Sequence, residues 1–570
     1  MTILIANIGT SDISIQIDKF YIPIGFQRDE PNICGPNPNT EESEVWSNLT
    51  NIVKYKVTEL INLDIGTYPK FRFATEKVLG LYCDDPDKWH PLIKLGRLTG
   101  ILDEALKFND LSKIYLFVTD QPESEIEGHK KDTVFLFSLI KEWLRREYTN
   151  RLRDVEIDSE TIEFRAIDQD KLFDFYYQFF IEKLNSNEPL LLSIKGGTFP
   201  MQTALRVIAN EVGSQRQIFL EPQLDVTSLL RGEPSRCDRI SFWQFTRIKK
   251  YKDIKLLLER WDFSGVEAIL LEFRENLDFF KRQEVLGREK VSRTRDSINQ
   301  SLILAQFAKS NFNLDINFNL RQAAVQNAQR LFLNDNTSEP QFLIRCLYAQ
   351  CQILWELDQI VNFLPRMSTL CEKILEFLFD KIIVHSSYSF NDKILIWRAI
   401  EVFGEERWNQ FTRRENRNSS IRKVTQDYYK EARRNPHNSL SIYFDFSRLN
   451  RISKRSFLNL LFSNTTLFDS WTTLNEYIER LDKWFEKRND MIHQANGFSR
   501  QSLDSFYAQQ SDEFRSAVCP PSQILDVLQN IIGSPLVVGN IIEDDYYIYS
   551  YLKTEISRII DQDLRLTPLN

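Results

Sequence analysis

A chain of 570 residues, 42% hydrophobic and 27% charged, is long enough for roughly two to four domains, each with its own core. Its net charge of −8 argues against a protein that coats nucleic acid indiscriminately, and no run approaches the ~18 consecutive apolar residues of a membrane span. The seven cysteines are scattered and form no C-x-x-C pair, the pattern of reduced cytoplasmic thiols rather than of a disulfide framework or a structural zinc site.

The opening run Met1-Thr2-Ile3-Leu4-Ile5-Ala6-Asn7 lacks a basic segment before it and reads as a first β-strand, not a signal peptide. Further β-rich runs occur at Ile114–Thr119, Ile162–Ala166, Leu190–Ile194 and Gln217–Leu220, after Ile3–Asn7. Helical patterns at Thr133–Tyr148, Leu172–Leu184 and Met201–Val212 alternate with them. Strand–helix–strand alternation predicts a mostly parallel, doubly wound, Rossmann-like sheet. The segment from Lys19 to Trp46, rich in Pro, Asn and Gly, reads as an irregular excursion.

In such sheets ligands bind at the loops leaving the carboxyl ends of the strands. Those loops are Gly9-Thr10-Ser11-Asp12, Asp120-Gln121-Pro122 and Lys195-Gly196-Gly197-Thr198. Small residues free backbone N–H groups to face a phosphate or ribose, and hydroxyls add donors. Lys195 supplies charge, and the loop after it opens a helix with Pro200 in its first turn, a place that favours an anion. No G-x-G-x-x-G follows the first strand, so this is not a dinucleotide fingerprint. His129, in the polar run Glu127–Asp132, lies near the same edge and reads as a capping or surface residue.

Twelve of the 18 glycines precede residue 245, and beyond it the chain reads as helical nearly throughout. Apolar residues recur at helical spacing from Tyr251 to Phe273 with a break at Asp262–Gly265, which suits a helical hairpin. Long helical runs follow at Arg321–Leu333, Gln341–Asn362 and Ser368–Ile383. The expected division is therefore 1–245, α/β, and 246–570, all-α. Residues Arg407 to His437 hold nine basic residues against three acidic ones, interleaved with Trp408, Phe411, Tyr428 and Tyr429. Cations with stacking aromatics suit single-stranded RNA, although a solvated helix face reads the same way.

Near the C-terminus stands Arg488-Asn489-Asp490-Met491-Ile492-His493. The chain has five histidines, and this is its one Arg-x4-His. An apolar stripe of Leu474, Tyr477, Ile478, Leu481, Trp484 and Phe485 precedes it and would next reach position 488. Arg is a permanent cation shaped for phosphate, and His moves a proton near neutral pH. Together they suffice for RNA cleavage without a metal. Positions five apart on an ideal helix stand about 140° from each other. A composite site at a two-fold interface, or a helix distorted or ending near His493, would bring the two side chains to one phosphate.

The opening strand with its GTS loop, and the strand with KGGT and Met201 beyond it, resemble the CARF domain. Arg488–His493 behind a helical half resembles the HEPN domain. In that order they resemble the CARF–HEPN ancillary ribonucleases of type III CRISPR systems, effectors of the Csm/Csx type. The resemblance implies a cytoplasmic homodimer that binds a cyclic oligoadenylate across its two-fold axis and then cuts single-stranded RNA in antiviral defence. It implies ligand-binding roles for Gly9, Thr10, Ser11, Gln121, Lys195, Gly196, Gly197 and Thr198, and catalytic roles for Arg488, Asn489 and His493. Cyclic tetra-adenylate is favoured over hexa-adenylate as activator, and no metal or other cofactor is called for. Two other readings stand beside it: a CARF domain that degrades its own activator, and a non-catalytic nucleotide sensor.

Overall fold

A computed structural model describes the chain from Thr2 to Leu566, except residues 26–34, 64–69, 109, 185–187, 214–215, 314–338, 386–393, 396–442, 445–449, 463–464, 495–498 and 540–545. It divides into two units, Met1–Lys252 with Glu272–Arg295, and Asp253–Leu271 with Asp296–Asn570. The expected boundary near 245 lies close to the first crossing, but the chain then returns to the first unit. Each crossing falls inside a helix: Trp243–Glu259, Phe263–Arg282 and Arg288–Phe312.

The first unit is built on a six-stranded sheet. Its strands are β1 (Thr2–Asn7), β5 (Leu111–Thr119), β6 (Glu156–Ile162), β7 (Leu190–Ser193), β8 (Gln217–Pro222) and β9 (Cys237–Ile240), in the order β6-β5-β1-β7-β8-β9. All pairs are parallel except β8 with β9. Every residue of β1 and β7 is buried, which explains their unbroken apolar runs: a central parallel strand is covered on both faces. Ile3, Ile5, Phe117, Leu190 and Leu192 pack against Leu172, Tyr176, Phe179, Met201 and Leu205 of the helices Gln169–Lys183 and Phe199–Val212. The helix Val134–Glu147 packs beside β5 and β6 through a separate buried set that includes Leu139, Ile140 and Trp143.

The third strand differs from the sequence reading. It occupies Glu156–Ile162, and Ile162–Ala166 is mostly the loop that follows. As the edge strand it buries only Ile157 and Ile162, so its sequence EIDSETI carries the charges of a strand with one neighbour. The supposed irregular excursion also contributes regular structure. β2 (Ser14–Ile17), β3 (Phe20–Pro23) and β4 (Ile93–Lys94) form a small antiparallel sheet, in which Asp18 turns the β2–β3 hairpin at φ 55°.

In the part of the first unit beyond the sheet, Trp243 stacks on Phe273 at 4.5 Å and Tyr251 meets the same ring edge-on. In the second unit Asp262 accepts a hydrogen bond from the Gly265 N–H at 2.8 Å, capping the helix that begins at Phe263.

The second unit is mainly helical, but it departs from the all-α expectation in one short antiparallel pair, Ile394–Leu395 with Tyr443–Phe444. Glu339–Glu356 and Ile360–His385 are joined by Leu357-Asp358-Gln359, with Asp358 at φ 53°. They share a core with the helices Arg451–Phe462, Phe468–Gln494 and Ile524–Gly533. The expected stripe lies in this core: Leu474, Ile478, Leu481, Trp484 and Phe485 are buried, while Tyr477 is half-buried at its edge. The run Arg321–Leu333 and the basic stretch Arg407–His437 lie outside the described residues. No described helix is long and apolar enough to cross a membrane. The six described cysteines are free, and burial pushes the Cys237 and Cys371 thiols up to about 12. Leu481→Ala should lower stability by about 2–5 kcal/mol through the cavity it leaves. Chemical denaturation monitored by tryptophan fluorescence measures it.

Candidate functional site

Two consecutive crossovers carry the chain from β1 to β5 and then to the edge strand β6. The chain next returns to the other side of β1 for β7 and β8. The order therefore reverses between β1 and β7, and the crevice outside their carboxyl ends is the topological switch point. Both glycine loops of the sequence reading lie there. They meet backbone to backbone: a Cβ on Gly9 would stand 3.2 Å from the Gly196 Cα and from the Gly197 nitrogen. Gly196 and Gly197 adopt φ +109° and +68°, conformations L side chains rarely take.

Underneath lies an ion pair. Arg97, on the helix Gly96–Ala105, is 1% exposed, and Asp12 is fully buried. The Arg97 Nε and Nη2 donate to the two Asp12 carboxylate oxygens, and Nη2 also donates to the Asn7 carbonyl at 3.0 Å. Asp12 in turn accepts the Gly9 N–H at 2.7 Å. A side chain on Gly196 would collide with this guanidinium and with the Asn7 carbonyl. The Arg97 Nη1 is buried and has no hydrogen-bond partner among the described residues.

With Gly9 satisfied by Asp12, the backbone N–H groups of Thr10, Ser11, Gly196 and Gly197 donate to no acceptor among the described residues. N–H groups so placed on loops of small residues are the kind of donors from which anion-binding nests are built. Thr10 and Ser11 are half-buried, and their hydroxyls make no hydrogen bond among the described residues.

The remaining ligand-facing candidates are engaged in the fold. The Thr198 hydroxyl donates to the Ala166 carbonyl at 2.5 Å and accepts the Met201 N–H at 3.3 Å as the cap of the helix Phe199–Val212. Since Pro200 has no N–H, that helix end offers fewer donors than its position suggests. Lys195 donates to the Pro222 carbonyl at 2.9 Å and lies 3.5 Å from Glu221. Gln121 spans between Asp132 and the Ala166 N–H, with both bonds at 2.9 Å.

The carboxyl end of β5 holds a second charged cluster. Arg72 pairs with Asp120 at 2.6 Å and with Asp132 at 3.2 Å. Burial pushes the Asp132 carboxyl above its usual range, against the hydrogen bonds of Gln121 and Thr119 and the charge of Arg72. His129 Nδ1 lies 2.7 Å from the Gln121 carbonyl, a structural placement. His90 is held between the Tyr82 hydroxyl and Glu147.

In the second unit, the helix Phe468–Gln494 carries positions 488 to 493. The side chains of Arg488, Asn489 and His493 lie outside the described residues. The turns before them are firmly anchored. Trp484 donates to the Cys519 carbonyl at 2.8 Å, Arg451 pairs with Asp482 at 2.6 Å, and the same guanidinium lies 3.9 Å from the Phe485 ring centre. Arg455 bonds Asn475 and pairs with Asp482 and Glu479. A cleft of about 630 Å³, lined by Ser470, Thr473, Tyr477, Asn530 and Ser534, opens on the same helix. Its nearer wall at Tyr477 is about 16 Å of helix away from position 488, so it is separate from the hexapeptide. Among the described residues no group of three or more His, Cys, Asp or Glu could hold a metal ion.

Sequence reasoning missed Arg97 and the structural part played by Asp12. The available signal was an arginine one turn before Ile101, on the helix face that Leu98, Ile101 and Leu102 bury. A cation there needs a buried partner.

No family model matches the chain, and no curated protein matches it. Among solved structures, a Csm6 of Enterococcus italicus bound to cyclic hexa-2'-fluoro-hexa-dAMP is similar at 14% identity and a TM-score of 0.47, covering 81% of this chain and 95% of that chain.

Asp12→Ala would leave Arg97 buried without its counter-charge and should cost about 3–5 kcal/mol. Urea titration against the parent protein measures the loss.

Proposed function

We propose that the chain is an endoribonuclease switched on by a cyclic oligoadenylate, acting in the cytoplasm as a homodimer on single-stranded RNA. The observation that carries the ligand half is the meeting of two glycine loops at the switch point with four backbone N–H groups that have no acceptor among the described residues. A polyanion such as a linked ring of nucleotides supplies acceptors for such a nest. Thr10 and Ser11 would add hydroxyl donors. Lys195, Gln121 and Thr198 would act indirectly, by fixing the loops that present those groups.

The nuclease half rests on Arg488 and His493. The helix is unbroken through both positions, so the separation of about 140° persists along it. A second copy related by two-fold symmetry would supply the complementary group. In the cleavage step the RNA 2′-oxygen bonds to the adjacent phosphorus, the bond from phosphorus to the 5′-oxygen breaks, and that oxygen takes up a proton. His493 moves the proton, Arg488 neutralises the charge building on the phosphoryl oxygens, and Asn489 orients the partners. Because the nucleophile is internal, the products carry 2′,3′-cyclic phosphate and 5′-hydroxyl ends, and no metal is needed. The activator raises activity by binding the active arrangement better than the inactive one.

RNA cleavage should appear in chelator on addition of cyclic tetra- or hexa-adenylate. His493→Ala should reduce its rate by roughly 10²–10⁴-fold while leaving ligand binding intact. Gel electrophoresis of labelled RNA and end-group analysis provide the measurement. Activity that survives His493→Ala, or that requires a divalent cation, rules the mechanism out.

A further inference from the structure

Phe199 is 79% exposed, although phenylalanine is ordinarily among the more buried residue types. It makes no ring contact among the described residues and is the first residue of the helix that leaves the KGGT loop. Its backbone is held on both sides. Thr198 caps the helix through the Met201 N–H, and Pro200 fixes the next φ. The Thr198 hydroxyl also ties this corner to Ala166 at 2.5 Å, and the residue after Ala166 is Ile167, 51% exposed. An aromatic ring on a firmly held backbone thus stands in water, two residues along the chain from Gly197, whose N–H has no acceptor among the described residues.

We propose that Phe199 is the platform on which a purine base of the bound nucleotide stacks, its phosphate lying on the glycine N–H groups. This rests on the reading of the switch-point crevice as the nucleotide site. A nucleotide has two faces to satisfy. The phosphate takes donors, which the loops supply, and the base offers a π-face, for which an aromatic ring is the complement. No polar side chain is required for the stack, which accounts for a crevice whose Lys195, Gln121 and Thr198 are all committed elsewhere. Because the ring is exposed and unpacked, its removal leaves no cavity, and ligand binding can be separated from folding.

The test uses the full-length protein and labelled cyclic tetra- and hexa-adenylate, with thermal melting and sedimentation run in parallel. Phe199→Ala should weaken binding roughly ten- to hundredfold at an unchanged melting temperature, the range of one lost base–aromatic stack. Phe199→Trp should restore binding and Phe199→Leu should not, because the requirement is for a π-face rather than for apolar bulk. Wild-type binding with Phe199→Ala within twofold of it overturns the stacking role alone. Loss of association between copies in Phe199→Ala overturns it too, assigning the ring to a protein contact. If the wild type binds neither ring size, the nucleotide reading falls and this inference with it.

Discussion

The Asp12–Arg97 pair is the constraint around which the first unit's crevice is arranged. A guanidinium taken out of water is tolerable only with a carboxylate in good geometry, and Asp12 provides both oxygens. That geometry dictates the rest. Asp12 must sit beneath the loop after β1, so it takes the Gly9 N–H, while those of Thr10 and Ser11 have no acceptor among the described residues. The guanidinium occupies the space a Cβ at 196 would need, so only glycine lets the second loop close against the first. One guanidinium nitrogen is left without a partner among the described residues, a buried donor whose desolvation costs free energy. The helix Gly96–Ala105 therefore determines the form of two loops far from it in sequence.

Much of this was legible beforehand, and the exceptions have physical causes. Central strands announce themselves because both faces are buried, and β1 and β7 read as plain apolar runs. The edge strand β6 did not, since a strand with one neighbour keeps Glu156, Asp158 and Glu160 at least partly in water. The two glycine loops were legible because glycine is needed there for backbone reasons. The chemistry of their side chains was not: Lys195 and Thr198 look free in the sequence, yet a carbonyl on β8 and a helix cap consume them. Arg97 was invisible for a related reason, its partner being an Asp that lies 85 residues away. Local pattern identifies which backbone is special, but only tertiary contact decides which polar groups remain available.

The second unit uses buried charge in another way. Lys454 is 2% exposed and reaches both Glu372 at 2.7 Å and Glu376 at 3.0 Å. Together with Arg451 and Arg455 it ties the helix Arg451–Phe462 to the helices on either side. Such bridges add little net stability once desolvation is counted, but they fix register, because a slip of one turn would strand a charge in the core. The register they fix is that of the helix bearing Arg488 and His493. For the cleavage proposed above, side chains that have to meet a phosphate to within a fraction of an ångström would gain from a support that cannot slide.

The threefold passage of the chain between the units has a consequence for how the protein is made. Synthesis proceeds from the N-terminus, and a domain generally folds once its last residue has emerged. Here the first unit is unfinished when its sheet is complete. Trp243 must wait for Phe273 and Phe280, which arrive after Asp253–Leu271, a segment belonging to the other unit, has already been made. That segment's own partners are later still. A nascent chain halted between residues 271 and 295 would hold an incomplete first unit together with a segment of the second whose partners are not yet made, so neither unit corresponds to one continuous stretch of chain that could be exchanged as a separate cassette.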